Sequence, residues 1–115
     1  MIEELQIISD QLKQIPDDVG SQVQYLMDLS DLKWSISELT PKVKARYNDK
    51  LAEISEKVIA LYDGKKVATS ILTGLIKGKL SQDQKLVYMC DRINATINLQ
   101  SQNLRTIISF KKVNV

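Results

Sequence analysis

Seven cations in the middle of this 115-residue chain have the chemistry to meet phosphate. Lys42, Lys44, Arg46 and Lys50 surround Tyr47, Lys57 follows, and then comes the pair Lys65-Lys66, with Lys77 and Lys79 beyond. Ammonium and guanidinium groups ranged along one surface neutralise a polyanion and displace its counterions, while a neighbouring aromatic can stack a base. The same spacing puts Tyr47 on a stripe with Val43 and Leu51, where a ring is more often core than platform. Glu53 with Lys57 has the four-residue spacing of any exposed helix face. The basic set Lys42, Lys44, Arg46, Lys50, Lys57, Lys65 and Lys66 is the expected nucleic-acid contact.

Enzyme chemistry finds little to work with. There is no histidine, which removes the commonest general base and metal ligand. The single Cys90 lies on an apolar stripe, where a thiol acts as a small hydrophobe. The run from Gly74 to Leu80 is one residue too short between its glycines for a phosphate-binding P-loop, and Leu80 stands where Ser or Thr must hold magnesium. Ser30 and Lys33 match a Ser-x-x-Lys pattern with no second motif in support. Asp17-Asp18 and Asp63 read as a helix cap and a turn. Asn94-Ala95-Thr96 matches the glycosylation triplet by chance, mid-helix. A non-enzymatic role without metal or cofactor is expected.

Charge is unevenly spread although the net value is only +2. Residues 1–40 carry eight acidic and two basic side chains, 41–80 four and nine, and 81–115 two and five. An acidic end and a basic remainder suit a phosphate partner on one part, and on the other a basic protein or the chain's own opposite end. The opening Met1-Ile2-Glu3-Glu4 lacks the basic flank and apolar run of a signal peptide, and no stretch nears the ~20 apolar residues of a membrane span. A cytoplasmic, reducing setting is the expectation.

The elements that must position these residues are helical. Ile2, Leu5, Ile8, Leu12 and Ile15 give a first helix over about 2–14, stopped by Pro16. Asp17 or Asp18 caps a second over 18–38, with Val19, Val23, Leu26, Leu29, Ile36 and Leu39 on a broad buried face and Leu32 and Trp34 beside them. Thr40-Pro41 reads as the end of that helix and the start of a third over 41–63, which closes at Asp63-Gly64. Residues 66–77 read as a short helix in preference to a hairpin. A last helix over 82–111 opens on the capping box Ser81-x-x-Gln84 and carries a heptad seam of Leu86, Cys90, Ile93, Ile97, Gln100, Leu104, Ile107 and Lys111. At ~45 Å it is longer than a domain of this size is wide, so it packs on shorter helices, on a partner chain, or on both. The expectation is one all-α domain over 1–115, a small bundle of four to five helices with a long C-terminal helix. Leu86, Cys90, Ile93, Ile97, Leu104 and Ile107 are the candidate self-association seam, and the polar Gln100 and Lys111 would fix its register.

The order of features resembles the UvsY-type recombination mediators of tailed bacteriophages. It comprises Lys33-Trp34, the basic helix with Lys42-Val43-Lys44-Ala45-Arg46-Tyr47, then Leu61-Tyr62-Asp63-Gly64 and a basic Thr- and Leu-containing stretch. A last helix follows with Tyr88, Cys90 and Arg105-Thr106-Ile107-Ile108, before a basic end. The likeness spans residues 30–112 in spacing and character. It implies a small helical homo-oligomer that binds single-stranded DNA through basic residues and helps load a recombinase onto strands covered by a single-strand binding protein. The family's basic pair before the glycine is met here by Glu56, Lys57 and Val58, of which Lys57 alone matches in kind, with Lys65-Lys66 beside it to compensate. The alternative reading is a protein-interaction module, a phage structural subunit or an inhibitor of a host defence complex, acting through the acidic first helices around Asp28 and Asp31.

Overall fold

Asp18 starts the dominant element of the molecule. Its carboxylate accepts from the Ser21 backbone N–H at 2.9 Å, and the helix that follows, α2, runs without a break from Val19 to Leu61. The computed structural model describes residues 1–113, with side chains as far as Lys111. Four helices form the chain, α1 (Ile2–Gln11), α2 (Val19–Leu61), α3 (Thr69–Lys79) and α4 (Ser81–Val113), with no strand among the described residues. The all-α architecture with a long last helix is as expected.

The expected break at Thr40-Pro41 does not occur, and the predicted helices 18–38 and 41–63 are one rod of 43 residues, roughly 65 Å long. Pro41 removes the N–H that would serve the Ser37 carbonyl, but Ser37 is exposed and that carbonyl can turn to water. Side chains brace the helix on either side. Thr40 Oγ1 donates to the Ile36 carbonyl at 2.7 Å, Asn94 Nδ2 donates to Thr40 Oγ1 at 3.2 Å, and Lys33 Nζ donates to Asn94 Oδ1 at 3.0 Å. Tertiary packing overrides the local stop signal.

α4 lies antiparallel to α2, and α1 fills one of the two grooves between them. The core is Tyr25, Leu29, Leu32, Ile36 and Val43 of α2, Cys90, Ile93, Ile97 and Leu104 of α4, and Leu5 and Ile8 of α1. The predicted seam packs within the chain: Cys90, Ile93, Ile97 and Leu104 are buried, with Leu86 and Ile107 half-buried. Periodicity shows that a face is covered but not by which chain. Toward the end of α4 the buried residue is Ile108 rather than Ile107, because a straight helix drifts by about 20° per heptad from a strict 3.5-residue repeat.

Local expectations shift at two further places and hold at a third. α1 ends at Gln11 instead of near 14, and Leu12 turns extended at φ −74°, ψ 121°. The strap from Leu12 to Asp18 is held by polar residues: Tyr25 Oη accepts from the Lys13 N–H at 2.8 Å, Gln100 Nε2 donates to the Lys13 carbonyl at 2.9 Å, and Lys111 Nζ donates to the Asp17 carbonyl at 3.0 Å. Gln100 and Lys111, polar on an apolar seam, thus satisfy the strap's backbone. The capping box at Ser81 is not formed; Gln84 Nε2 donates to Tyr88 Oη, and the Gln84 N–H bonds to the Leu80 carbonyl at 2.9 Å. Gly64, at φ 74°, takes the left-handed conformation expected of the residue closing the helix.

Beyond the level of Lys50 and Asp83, α1 no longer accompanies the other helices. The last turns of α2 and the returning α3 form a two-helix tip, with Val58 and Leu80 buried and Ile71 and Leu75 exposed. The segment expected to be helical over 66–77 is helical over 69–79. The molecule measures 75 × 22 × 17 Å.

Candidate nucleic-acid interface

The seven predicted cations fall into two groups. Lys50 Nζ lies 3.1 Å and Arg46 Nε 3.5 Å from the Asp83 carboxylate, which is only 5 % exposed. This triad ties the start of α4 to α2. Lys44 pairs with Asp91 of α4 at 3.7 Å, and Lys57 with Glu53 one turn back at 2.8 Å. The Lys57 hydrogen bond holds Glu53 below the usual carboxylate range and raises Lys57 in turn. Lys42 lines a hollow with Glu4 and Glu38. Five of the seven thus stand beside carboxylates of their own chain, which weakens their field toward an incoming phosphate. Arg46 and Lys50 are brought together, but Lys44 reaches to a different carboxylate.

The second group is at the tip. Lys65 Nζ sits 5.9 Å from the centre of the Tyr62 ring, and Lys66, Lys77 and Lys79 are exposed with no ion pair among the described residues. From Gly64 to Leu80 the chain has four lysines and no carboxylate. Lys77 and Lys79 lie outside the expected contact set, although their place in an acid-free stretch is visible in the sequence.

Comparison of this chain with protein-family models, curated proteins and solved structures gives no match.

Burial pushes the Cys90 thiol above its ordinary pKa, which keeps it protonated and unreactive at neutral pH. No group of three or more His, Cys, Asp or Glu side chains among the described residues is placed to hold a metal ion. No helix of the described chain is long and apolar enough to cross a membrane. Trp34, expected beside the buried face of α2, is 71 % exposed. Its position five residues after Leu29 and two before Ile36 turns it away from the core stripe, so the spacing itself carries the signal.

Proposed function

We propose that this chain is a non-enzymatic helical accessory protein that binds single-stranded DNA, with the lysine-rich tip as its phosphate contact. The observation that carries the reading is the acid-free run from Gly64 to Leu80, whose Lys65, Lys66, Lys77 and Lys79 project from the free end of a rod. Cations with no carboxylate paired to them present their full charge to phosphate. The resemblance to UvsY-type mediators supports the same reading. It extends it to a homo-oligomer in the cytoplasm that works with a recombinase and a single-strand binding protein. In that homo-oligomer the half-buried Leu86 and Ile107 of the α4 seam and the exposed Ile71 and Leu75 at the tip are apolar side chains available for self-association.

The test is anisotropy of a labelled single-stranded oligonucleotide at low and moderate salt, with light scattering on the same sample. Binding should fall steeply with salt, and Lys65→Glu with Lys66→Glu should weaken it without sequence preference and lower the salt slope by about two. Salt-independent binding, or unaltered binding by the double variant, overturns the assignment to the tip. A second reading, capture of a protein partner by the acidic helices, is favoured by Ile7, exposed beside Glu4 and Glu38. Loss of partner capture on charge reversal at Asp28 and Asp31, with Lys65 and Lys66 dispensable, selects it.

A further inference from the structure

One face of α2 is uncharged along its whole length. In the first half of the helix it runs through Val19, Val23, Met27, Ser30, Trp34 and Ser37. In the second half it continues through Pro41, Ala45, Asn48, Ala52, Ser55 and Ile59. The steps are of three or four residues throughout and average about 3.6, so the stripe runs straight along the rod instead of winding around it. The charged side chains of α2, from Asp28 to Lys57, all lie off this face. Its residues are exposed except for Ser55, which is half-buried, and none belongs to the core. Trp34 is 71 % exposed and Met27 59 %. On one border Asp31, Glu38 and Lys42 line the hollows beside α1, and on the other the groove toward α4 begins at Ser30 and Lys33.

The two halves of the stripe are unlike. Val19, Val23, Met27 and Trp34 give the first half bulk, whereas Ala45, Ala52 and Ser55 leave the second half shallow. The charges around them differ too. Before Pro41, Asp28, Asp31 and Glu38 stand against Lys33 alone; after it, Lys42, Lys44, Arg46, Lys50 and Lys57 outnumber Asp49, Glu53 and Glu56. The spacing is nearly a palindrome about the level of Leu39. A copy laid antiparallel about that level sets Trp34 against the partner's Ala45, Met27 against the partner's Ala52 and Val23 against the partner's Ser55. Glu38 comes level with the partner's Lys42 on the border nearest α1. A parallel copy would crowd Trp34 on its own counterpart and lay the acidic halves side by side.

We infer that this face of α2 is a self-association surface on which a second copy of the chain packs antiparallel. An identical chain supplies both complements, bulk against space and cation against carboxylate, and the two-fold pairing makes each contact twice. With its border residues the face offers roughly 20 residues a side, the lower end of a standard interface. The inference rests on the homo-oligomer part of the proposed function and gives that oligomer a surface, with one lysine-rich tip at each end of the pair.

Sedimentation equilibrium of the full chain without DNA, over a range of concentrations, should show a dimer. Trp34 is the sole tryptophan, and its emission should move to shorter wavelength as the dimer forms and the ring leaves water. Trp34→Ala and Ala45→Trp should each weaken the dimer roughly tenfold or more, and the two together should restore most of it, because the ring then meets the partner's shortened position 34. Both positions are exposed, and circular dichroism checks that the variants stay helical. Ser30→Cys and Asn48→Cys variants oxidised with diamide should cross-link when mixed and not alone, Cys90 being buried. A monomer at every concentration overturns the interface and the homo-oligomer together, while oligonucleotide anisotropy decides DNA binding separately. An oligomer indifferent to Trp34→Ala and Ala45→Trp, or one that the double variant fails to restore, overturns the interface alone. Cross-linking of the Ser30→Cys variant by itself overturns the antiparallel order.

Discussion

Asp83 shows how the partners of one side chain can be mistaken for a binding site. Arg46 and Lys50 look like phosphate ligands in sequence, but both converge on this buried carboxylate, which they neutralise. Asp83→Ala should destabilise the protein by about 1–3 kcal/mol, because two partly buried cations lose their partner, and urea denaturation measures it. The same variant frees Arg46 and Lys50, so its affinity for a polyanion should rise, which anisotropy detects. Asp18 makes a prediction of a different kind. Its carboxyl is held below the ordinary range chiefly by the hydrogen bond from the Ser21 N–H. A depressed folded pKa means that the cap stabilises the fold fully above the ordinary Asp range and is lost as pH falls through the depressed value. Asp18→Asn, which caps without titrating, should lose less stability than the parent across that acid window in a pH series of thermal melts.

At the scale of elements, the decisive comparison is between Pro41 and Gly64. Both have the look of helix ends in sequence, and only Gly64 is one. Gly64 needs a positive φ that is a local property of the chain, whereas Pro41 is tolerated because Asn94, 54 residues from Thr40 in sequence, braces the helix around it. Pro41→Ala should restore the hydrogen bond to Ser37 and stabilise the protein by about 1 kcal/mol or more in urea melts. The helical class, the start of α2, the glycine stop after it and the covered face of α4 are legible because each rests on spacing or a cap within a few residues. The fusion of two predicted helices, the strap held by Gln100 and Lys111, and the pairing of Arg46 and Lys50 with Asp83 are not, because each depends on contacts that only the folded hairpin makes. The exposure of Trp34 is legible too, because its register relative to Leu29 and Ile36 excludes it from the core.

As a whole the molecule is a rod. Its radius of gyration is 20.6 Å, against about 13 Å for a compact domain of this length. Small-angle scattering on the monomer should return a value near 20.6 Å. A value near that of a compact domain would show that α2 is not one unbroken rod in solution.

The hairpin also sets an order of assembly. Contacts between α2 and α4 lie 33 residues apart in sequence at Lys50–Asp83, 61 at Lys33–Asn94, 75 at Tyr25–Gln100 and 89 at Gln22–Lys111. Closing a short loop costs less entropy than closing a long one, so pairing should begin next to the tip and close like a zip toward the strap. In chevron measurements Asp83→Ala should then chiefly slow folding, and Tyr25→Phe chiefly speed unfolding. The end of the rod that carries the unpaired lysines would be the first part of the protein to take its shape.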